Sequence, residues 1–275
     1  MHIHHRKIKE EIIVNKPTIP HPAEAAGYKN LVFYDDFDDP STIDWKVTGE
    51  PGFQWYLDRP FGWPSLVPGD VKVEDSVVTV AQEKSCANWG IGTYSAKGDT
   101  GAAFRFGYFE ARIRFDLNKT KGEVSGFPAW WSFSVAHTTD RNDEHWAELD
   151  FFEAMTNPTA EGRYTGTFVA TMHDWIRKDG IPQNCQNPNN WHDKCVTEGW
   201  HNYGCLWKPG VVEWYYDEQL LGRVTYSADK MPEPTNVSGN FPGAYQYMEQ
   251  EDMMLILGSC KEWPMEVDWV RVWQA

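Results

Sequence analysis

Three acidic residues stand close together inside an otherwise apolar stretch near the middle of the chain. Residues 145–155 read His-Trp-Ala-Glu-Leu-Asp-Phe-Phe-Glu-Ala-Met, which places Glu148, Asp150 and Glu153 among residues typical of a buried strand. Burying an unpartnered carboxylate costs free energy, so these three acids require a reason. Two carboxylates about 5 Å apart serve a retaining glycosidase as nucleophile and acid/base. Acids on a half-exposed strand and a calcium site are the alternatives.

The spacing of the acids indicates an irregular strand. In a regular strand Glu148 and Asp150 share a face, whereas Glu153 points to the other face. One extra residue, Phe151 or Phe152, accommodated in a β-bulge would bring all three acids to the same face. We therefore predict a bulged strand that carries a catalytic triad of carboxylates.

The segment Glu-Leu-Asp-Phe-Phe-Glu resembles the bulged Glu-x-Asp-x-x-Glu signature of glycoside hydrolase family 16, as found in laminarinases, agarases and carrageenases. The resemblance continues through Gly107–Arg112, Gly126–Trp131 and Met265–Trp273, in family order. It implies that Glu148 is the nucleophile, that Asp150 assists and that Glu153 is the acid/base. It covers the chain from about residue 30 to residue 273.

Aromatic side chains around the acids are the expected sugar contacts. Trp146 has the parity of Glu148 and is expected to stack beside the sugar. The resemblance implies that His173 lines the catalytic subsite. Of the adjacent pair Trp130 and Trp131, one should face the sugar and the other the core, and Trp131 is favoured for the sugar. Further candidates for sugar contact lie elsewhere in the chain: Trp55, Trp63, Trp263, Tyr245 and Tyr247.

The remaining sequence predicts the framework that positions these residues. About a dozen alternating segments and almost no helical periodicity indicate an antiparallel β-sandwich, and the resemblance implies a concanavalin-like jelly roll with a concave groove. Residues 1–27 are expected to form an extended arm and residues 28–275 a single domain.

Composition limits the partners. The formal net charge of −15 argues against nucleic acid, no stretch is long and apolar enough to span a membrane, and a monomer is expected. The start of the chain lacks the apolar core of a signal peptide, whereas a polymer substrate indicates a secreted, cell-surface or periplasmic protein. Catalysis requires no cofactor. The resemblance implies a structural calcium held by Asp268 with carbonyl oxygens near Asp36 and Ser76.

The sequence therefore predicts a retaining endo-hydrolase of β-1,3- or mixed-linkage β-glucan. A hydrolase of a β-galactan, similar to agarases, carrageenases and porphyranases, is the enzyme alternative. A non-catalytic lectin on the same sandwich would keep the aromatic groove without needing the acids. Cys185 and Cys195 bracket one loop and could form a disulfide, whereas Cys205 reads as a core residue.

Overall fold

The computed structural model describes residues 17–83, 88–115, 126–158, 164–191, 199–227, 245 and 247–275. Two eight-stranded sheets contain most of these residues, with strands numbered in chain order. The first, which we call the acid-bearing sheet, has the spatial order β13 (Ile181–Trp191), β12 (Tyr164–Lys178), β11 (His145–Pro158), β10 (Ala129–Ser134), β17 (Met253–Gly258), β6 (Ile91–Gly92), β3 (Trp55–Tyr56) and β2 (Ile43–Asp44).

The second sheet packs against one face of the first. Its order is β16 (Gln219–Thr225), β15 (Val211–Tyr216), β14 (His201–Lys208), β9 (Gly107–Arg114), β18 (Met265–Gln274), β5 (Val77–Val80) and β4 (Val71–Glu74), with β1 (Asn30–Asp35) also paired to β18. A separate small hairpin joins β7 (Tyr94–Ser95) and β8 (Thr100–Gly101). Among the described pairs only β2 and β3 are parallel, so the predicted antiparallel sandwich is confirmed.

Aromatic side chains fill the space between the sheets. Phe109 of β9 stacks on Phe151 of β11 with ring centroids 5.1 Å apart, and Trp130 of β10 meets the same ring at 5.0 Å. Cys205 lies in this core, as expected, and its thiol is free. Cys195, the candidate disulfide partner of Cys185, lies outside the described residues. The outer face of the acid-bearing sheet is therefore the face left for a ligand.

Two hairpin turns are built from residues with positive φ. Asp75 and Ser76 join β4 to β5 with φ of 51° and 57°, and Asp217 and Glu218 join β15 to β16 with φ of 47° and 62°. Two-residue hairpins need this left-handed backbone because it matches the twist of the paired strands. Neither turn contains glycine.

The expected extended arm is partly helical. Helix α1 (His21–Ala26) begins beside Pro20 and Pro22 and ends at Gly27, which adopts the left-handed conformation with φ of 82°. Ala23 of this helix is buried against the second sheet, on the face away from the acids. A second short helix, α2 (Val135–Thr138), follows β10, and single turns of 3₁₀ helix occur at Pro40–Thr42 and Met248–Gln250. Of the helices in the described ranges, none has the length or apolarity to cross a membrane.

Candidate active site

Strand β11 contains the predicted bulge. Towards β10, Asp150 pairs with Trp131 and Phe152 pairs with Trp130, so Phe151 has no partner of its own. Towards β12, the register advances by four residues from Leu149 to Glu153 while the neighbouring strand advances by three. One extra residue therefore lies between Asp150 and Glu153, and it returns Glu153 to the face of the other two acids.

The core holds this bulge in place. Phe151 and Phe152 are consecutive, yet both are buried between the sheets. Phe151 packs on the second sheet as described above, and Phe152 lies 4.1 Å from the ring of Tyr203. Trp214, also from the second sheet, donates its indole N–H to the backbone carbonyl of Asp150 at 3.0 Å. Contacts from the second sheet thus fix the position of the acids.

Glu148, Asp150 and Glu153 line one small cavity on the outer face, together with Asn88, Ala129 and Trp131. Asp150 is only 3% exposed, and the two glutamates are half-buried. Solvated acids on an exposed strand would not show this burial, so that alternative is excluded.

Strand β12 provides hydrogen bonds to two of the acids. Nε2 of His173 lies 3.1 Å from Oδ2 of Asp150, and Nε1 of Trp175 donates to Oε2 of Glu148 at 3.1 Å. The side chain of Glu153 receives no hydrogen bond from the described residues. Glu153 instead pairs in the sheet with Ala129 on one side and Val169 on the other.

Burial and neighbouring charges give the two glutamates different pKa values. Burial raises the pKa of Glu153 well above its usual value, and the charges of Asp150 and Glu148 raise it further. Burial also raises the pKa of Glu148, to about 7, but the electrostatic attraction of His173 and the hydrogen bond from Trp175 oppose that rise. Glu153 is therefore the carboxyl that retains its proton, and Glu148 ionises first.

Aromatic rings continue from the cavity across the outer face. Trp131 lies 5.1 Å from Trp89, and Trp63 lies 6.1 Å from the same ring in an edge-to-face contact. Phe61, which is 43% exposed at a positive φ of 60°, packs against both Trp63 and Trp89. Of the sugar contacts expected from the sequence, Trp131, Trp63 and His173 thus lie on the face of the acids.

Trp146 faces the acids but is covered. The ring of His137 stacks on it at 3.9 Å with planes 2° apart, and Trp175 lies nearly parallel at 5.7 Å. Trp146 is only 5% exposed. We had expected Trp146 to stack beside a sugar, and this expectation is wrong. The ring instead supports its neighbours.

Trp55, Trp263 and Tyr245 are wrong as expected sugar contacts because their rings lie in the core, whereas Trp130 is the member of its pair that faces the core. Trp130 projects between the sheets, on the face opposite to Trp131, because successive strand residues alternate. Trp55 is fully buried and donates its indole N–H to Asp35 at 3.0 Å. Trp263 is fully buried edge-on to Phe115, and Tyr245 is fully buried as well. Tyr247 stacks on His145 at 3.9 Å, beyond the residues that line the cavity.

Two residues of the site were not anticipated from the sequence. Trp175 lies two positions after His173, so strand parity could have identified it. Asn88 precedes β6 and is held by the backbone N–H of Phe127 at 3.1 Å. It also packs so closely on Gly258 that a Cβ there would lie 1.5 Å from the Asn88 carbonyl oxygen. No local signal marked this loop residue.

The acid cluster offers an unsuitable set of ligands for calcium. Ligand atoms of Glu148, Asp150 and His173 lie within 4.8 Å of one another, but Ca²⁺ is held by six to eight oxygens and a histidine nitrogen does not suit it. Asp268 accepts a hydrogen bond from Arg112 at 2.7 Å, so a guanidinium already neutralises it. Asp36 accepts one from the hydroxyl of Tyr34. The predicted structural calcium at Asp268, Asp36 and Ser76 stays a prediction.

The protein is a two-sheet β-sandwich with three carboxylates clustered on the outer face of one sheet. This arrangement is typical of glycosidases that use carboxylates for catalysis. The chain belongs to glycosyl hydrolases family 16, whose sequence model matches residues 65–255. This match confirms the family resemblance noted in the sequence.

Individual proteins are similar at lower identity. The endo-1,3-1,4-beta-glycanase EglC of Rhizobium meliloti is 26% identical over 196 residues, which are 66% of this chain and 36% of that protein. The chain therefore spans about a third of that relative's length. The catalytic domain of an endo-1,3-beta-glucanase (laminarinase) from Thermotoga petrophila has a TM-score of 0.52 at 17% identity, covering 89% of this chain and 97% of that one. A chain from work on endo-acting O-glycanases of human gut microbiota that initiate mucin breakdown has a TM-score of 0.55 at 15% identity, covering 90% and 91%. These two likenesses show the fold.

Proposed function

We propose that this protein is a retaining endo-hydrolase of a β-1,3- or mixed-linkage β-glucan. The observation that carries the proposal is the difference between the surroundings of Glu153 and those of the other two acids. Glu148 and Asp150 each receive a hydrogen bond from β12, whereas Glu153 receives none from the described residues and lies between Ala129 and Val169. Hydrogen bonds favour the ionised form of a carboxyl group and an apolar setting favours the neutral form.

The chemistry follows from this difference. Glu153, protonated, donates its proton to the glycosidic oxygen as the bond to the leaving sugar breaks. Glu148, ionised, attacks the anomeric carbon and forms a covalent glycosyl-enzyme. Glu153, now ionised, removes a proton from water, which attacks the same carbon, releases Glu148 and regenerates the acid. Two displacements at one carbon retain its configuration.

Asp150 connects the two glutamates. Its charge raises the pKa of both, as expected for like charges in one cavity, and His173 beside it limits the repulsion. Its negative charge also suits the positive charge that develops on the sugar ring in the oxocarbenium-like transition state. We therefore assign Asp150 an assisting role.

The substrate assignment rests on the relatives and on the aromatic rings. EglC is named an endo-1,3-1,4-beta-glycanase. The partly exposed rings of Trp63 and Phe61 offer flat apolar faces on the side of the sheet that carries the acids, where the buried Trp131 lines the cavity. A galactan hydrolase would use the same acids and differ in these rings. A lectin would have no use for buried acids with opposed protonation states. We propose that the reaction takes place outside the cytoplasm, where such polymers occur.

Sugar release from laminarin, barley mixed-linkage glucan, agarose and carrageenan tests the proposal. We expect oligosaccharides from one or both glucans, with the β-anomer appearing first in the proton NMR spectrum of the products. Glu148→Gln and Glu153→Gln should abolish release. Glu144→Gln is the matched control because Glu144 is exposed just before β11. Oligosaccharide release from a galactan alone would overturn the proposed substrate. Activity that survives Glu148→Gln would overturn the proposed mechanism.

A further inference from the structure

Trp175 makes the one hydrogen bond that the carboxylate of Glu148 receives from the described residues. Its indole Nε1 lies 3.1 Å from Oε2. An indole N–H can donate but cannot accept, so this contact requires the facing oxygen to carry a lone pair. A protonated Oε2 would place two hydrogens against each other. A carboxylate is a stronger acceptor than a neutral carboxyl group, so this donor favours the ionised form of Glu148.

The direction of this donor is fixed by a row of parallel rings. Trp175 lies between Trp146, at 5.7 Å and 10°, and His173, at 5.9 Å and 16°. The far face of Trp146 is covered by His137 at 3.9 Å, and the guanidinium of Arg177 lies 5.5 Å from the same ring. Rotation of the Trp175 indole away from Glu148 would break this stack. The stack therefore holds the N–H in one direction.

Strand register explains why the row lies beside the acids. Trp146 pairs across the strands with Trp175, and Glu148 pairs with His173. Paired residues on antiparallel strands project to the same face. The alternation of strand β12 thus delivers two donors, His173 and Trp175, to two successive acids of β11.

We propose that Trp175 is a positioning residue for the nucleophile: it fixes the rotamer of Glu148 through Oε2, leaves Oε1 for the anomeric carbon, and favours the ionised carboxylate. The inference rests on the function proposed above, because it assumes that Glu148 is the nucleophile. It assigns Trp175 an electrostatic and orienting role, distinct from that of a sugar platform.

Trp175→Phe tests the role because it keeps a ring in the stack and removes the donor. We expect the acidic limb of the kcat/KM profile to move up by about half to one pH unit, the value of one hydrogen bond. The alkaline limb, which reports Glu153, should stay in place, and KM should change less than twofold. Trp45→Phe is the matched control, since Trp45 donates its N–H to the carbonyl of Pro40 on a distant surface loop.

A 2,4-dinitrophenyl β-laminaribioside isolates the nucleophilic step, because this leaving group needs no proton from Glu153. With this probe we expect Trp175→Phe to slow the burst of dinitrophenol about three- to tenfold below pH 6, which matches the shift of the acidic limb. A rise in KM with an unmoved acidic limb would overturn the proposal and identify a sugar platform. An unchanged profile would overturn it as well.

A measurement on the unaltered protein avoids dependence on the variant's folding. In protein labelled with ¹⁵N at the tryptophan indoles, one Nε1–H signal should shift with the same midpoint as the acidic limb, and Glu148→Gln should abolish that shift. If no indole signal follows the limb, the inference fails. Activity that survives Glu148→Gln would instead refute the proposed function, and this inference with it.

Discussion

Replacing Glu153 by glutamine removes a proton from the site while keeping the shape of the side chain. Glu153 lies between Ala129 and Val169, and burial together with the charges of Asp150 and Glu148 holds its pKa well above its usual value. Glutamine, which is neutral, should fit the same position. The change therefore tests the chemical role of Glu153 with little disturbance of the sheet.

The expected loss depends on the leaving group. General acid catalysis contributes about 10²–10⁴-fold to rate, or roughly 3–5 kcal/mol of transition-state stabilisation. A sugar alkoxide needs the proton, so hydrolysis of glucan should fall by that factor. A dinitrophenolate leaves without a proton, so formation of the glycosyl-enzyme from the 2,4-dinitrophenyl glycoside should fall less than about tenfold. The variant should then accumulate the intermediate, because Glu153 is also the base for water.

The assay compares both substrates by stopped-flow and steady-state kinetics. The dinitrophenyl substrate should give a burst followed by slow turnover, and added azide should speed that turnover and yield a glycosyl azide of retained configuration. The alkaline limb of the pH profile should disappear. Equal losses on the two substrates, or an alkaline limb that remains, would refute the assignment of Glu153 as acid/base.

Three further outcomes follow from contacts around the site. Trp131→Ala should raise KM for glucan about tenfold with a smaller fall in kcat, and should lower stability by about 3 kcal/mol in thermal melts, since the ring packs on its neighbours in the cavity wall. Gly258→Ala should destabilise the protein and displace Asn88, because the new Cβ would lie 1.5 Å from the Asn88 carbonyl oxygen. Asp174 is fully buried, accepts a hydrogen bond from the backbone N–H of Tyr247 at 3.0 Å, and has a pKa raised by burial to about 7. Its preference for the protonated form contributes stability that is present below pH 4 and lost as pH rises to about 7, on the order of 4 kcal/mol. Urea denaturation of Asp174→Asn should therefore show a shallower fall in stability over that range.

The acids and the bulge could be predicted because strand parity is a local rule. Glu148 and Asp150 share one parity and Glu153 the other, and a single inserted residue is the smallest correction. The same rule separated Trp130 from Trp131. It could have found Trp175 as well.

Rings outside long alternating strands could not be assigned in the same way, and Trp55 lies in a strand of only two residues. Trp55 and Trp263 occur in segments rich in glycine and proline, where no alternation tells which face a side chain takes. Their burial depends on contacts far away in sequence, such as the bond from Trp55 to Asp35 and the packing of Trp263 on Phe115. Asn88 likewise reaches the cavity only because Gly258, 170 positions further along the chain, allows close approach.

The bulge does more than turn Glu153 towards the other acids. On β11, Glu148 lies opposite His173, next to the donors of β12, whereas the extra residue moves Glu153 to a position opposite Val169. Without that shift the two glutamates could not share a face. With the shift, both glutamates line the same cavity but have different neighbours. Glu148 lies beside N–H groups, whereas Glu153 lies beside apolar side chains. One inserted residue thus sets both the direction of Glu153 and the protonation difference that general acid catalysis requires.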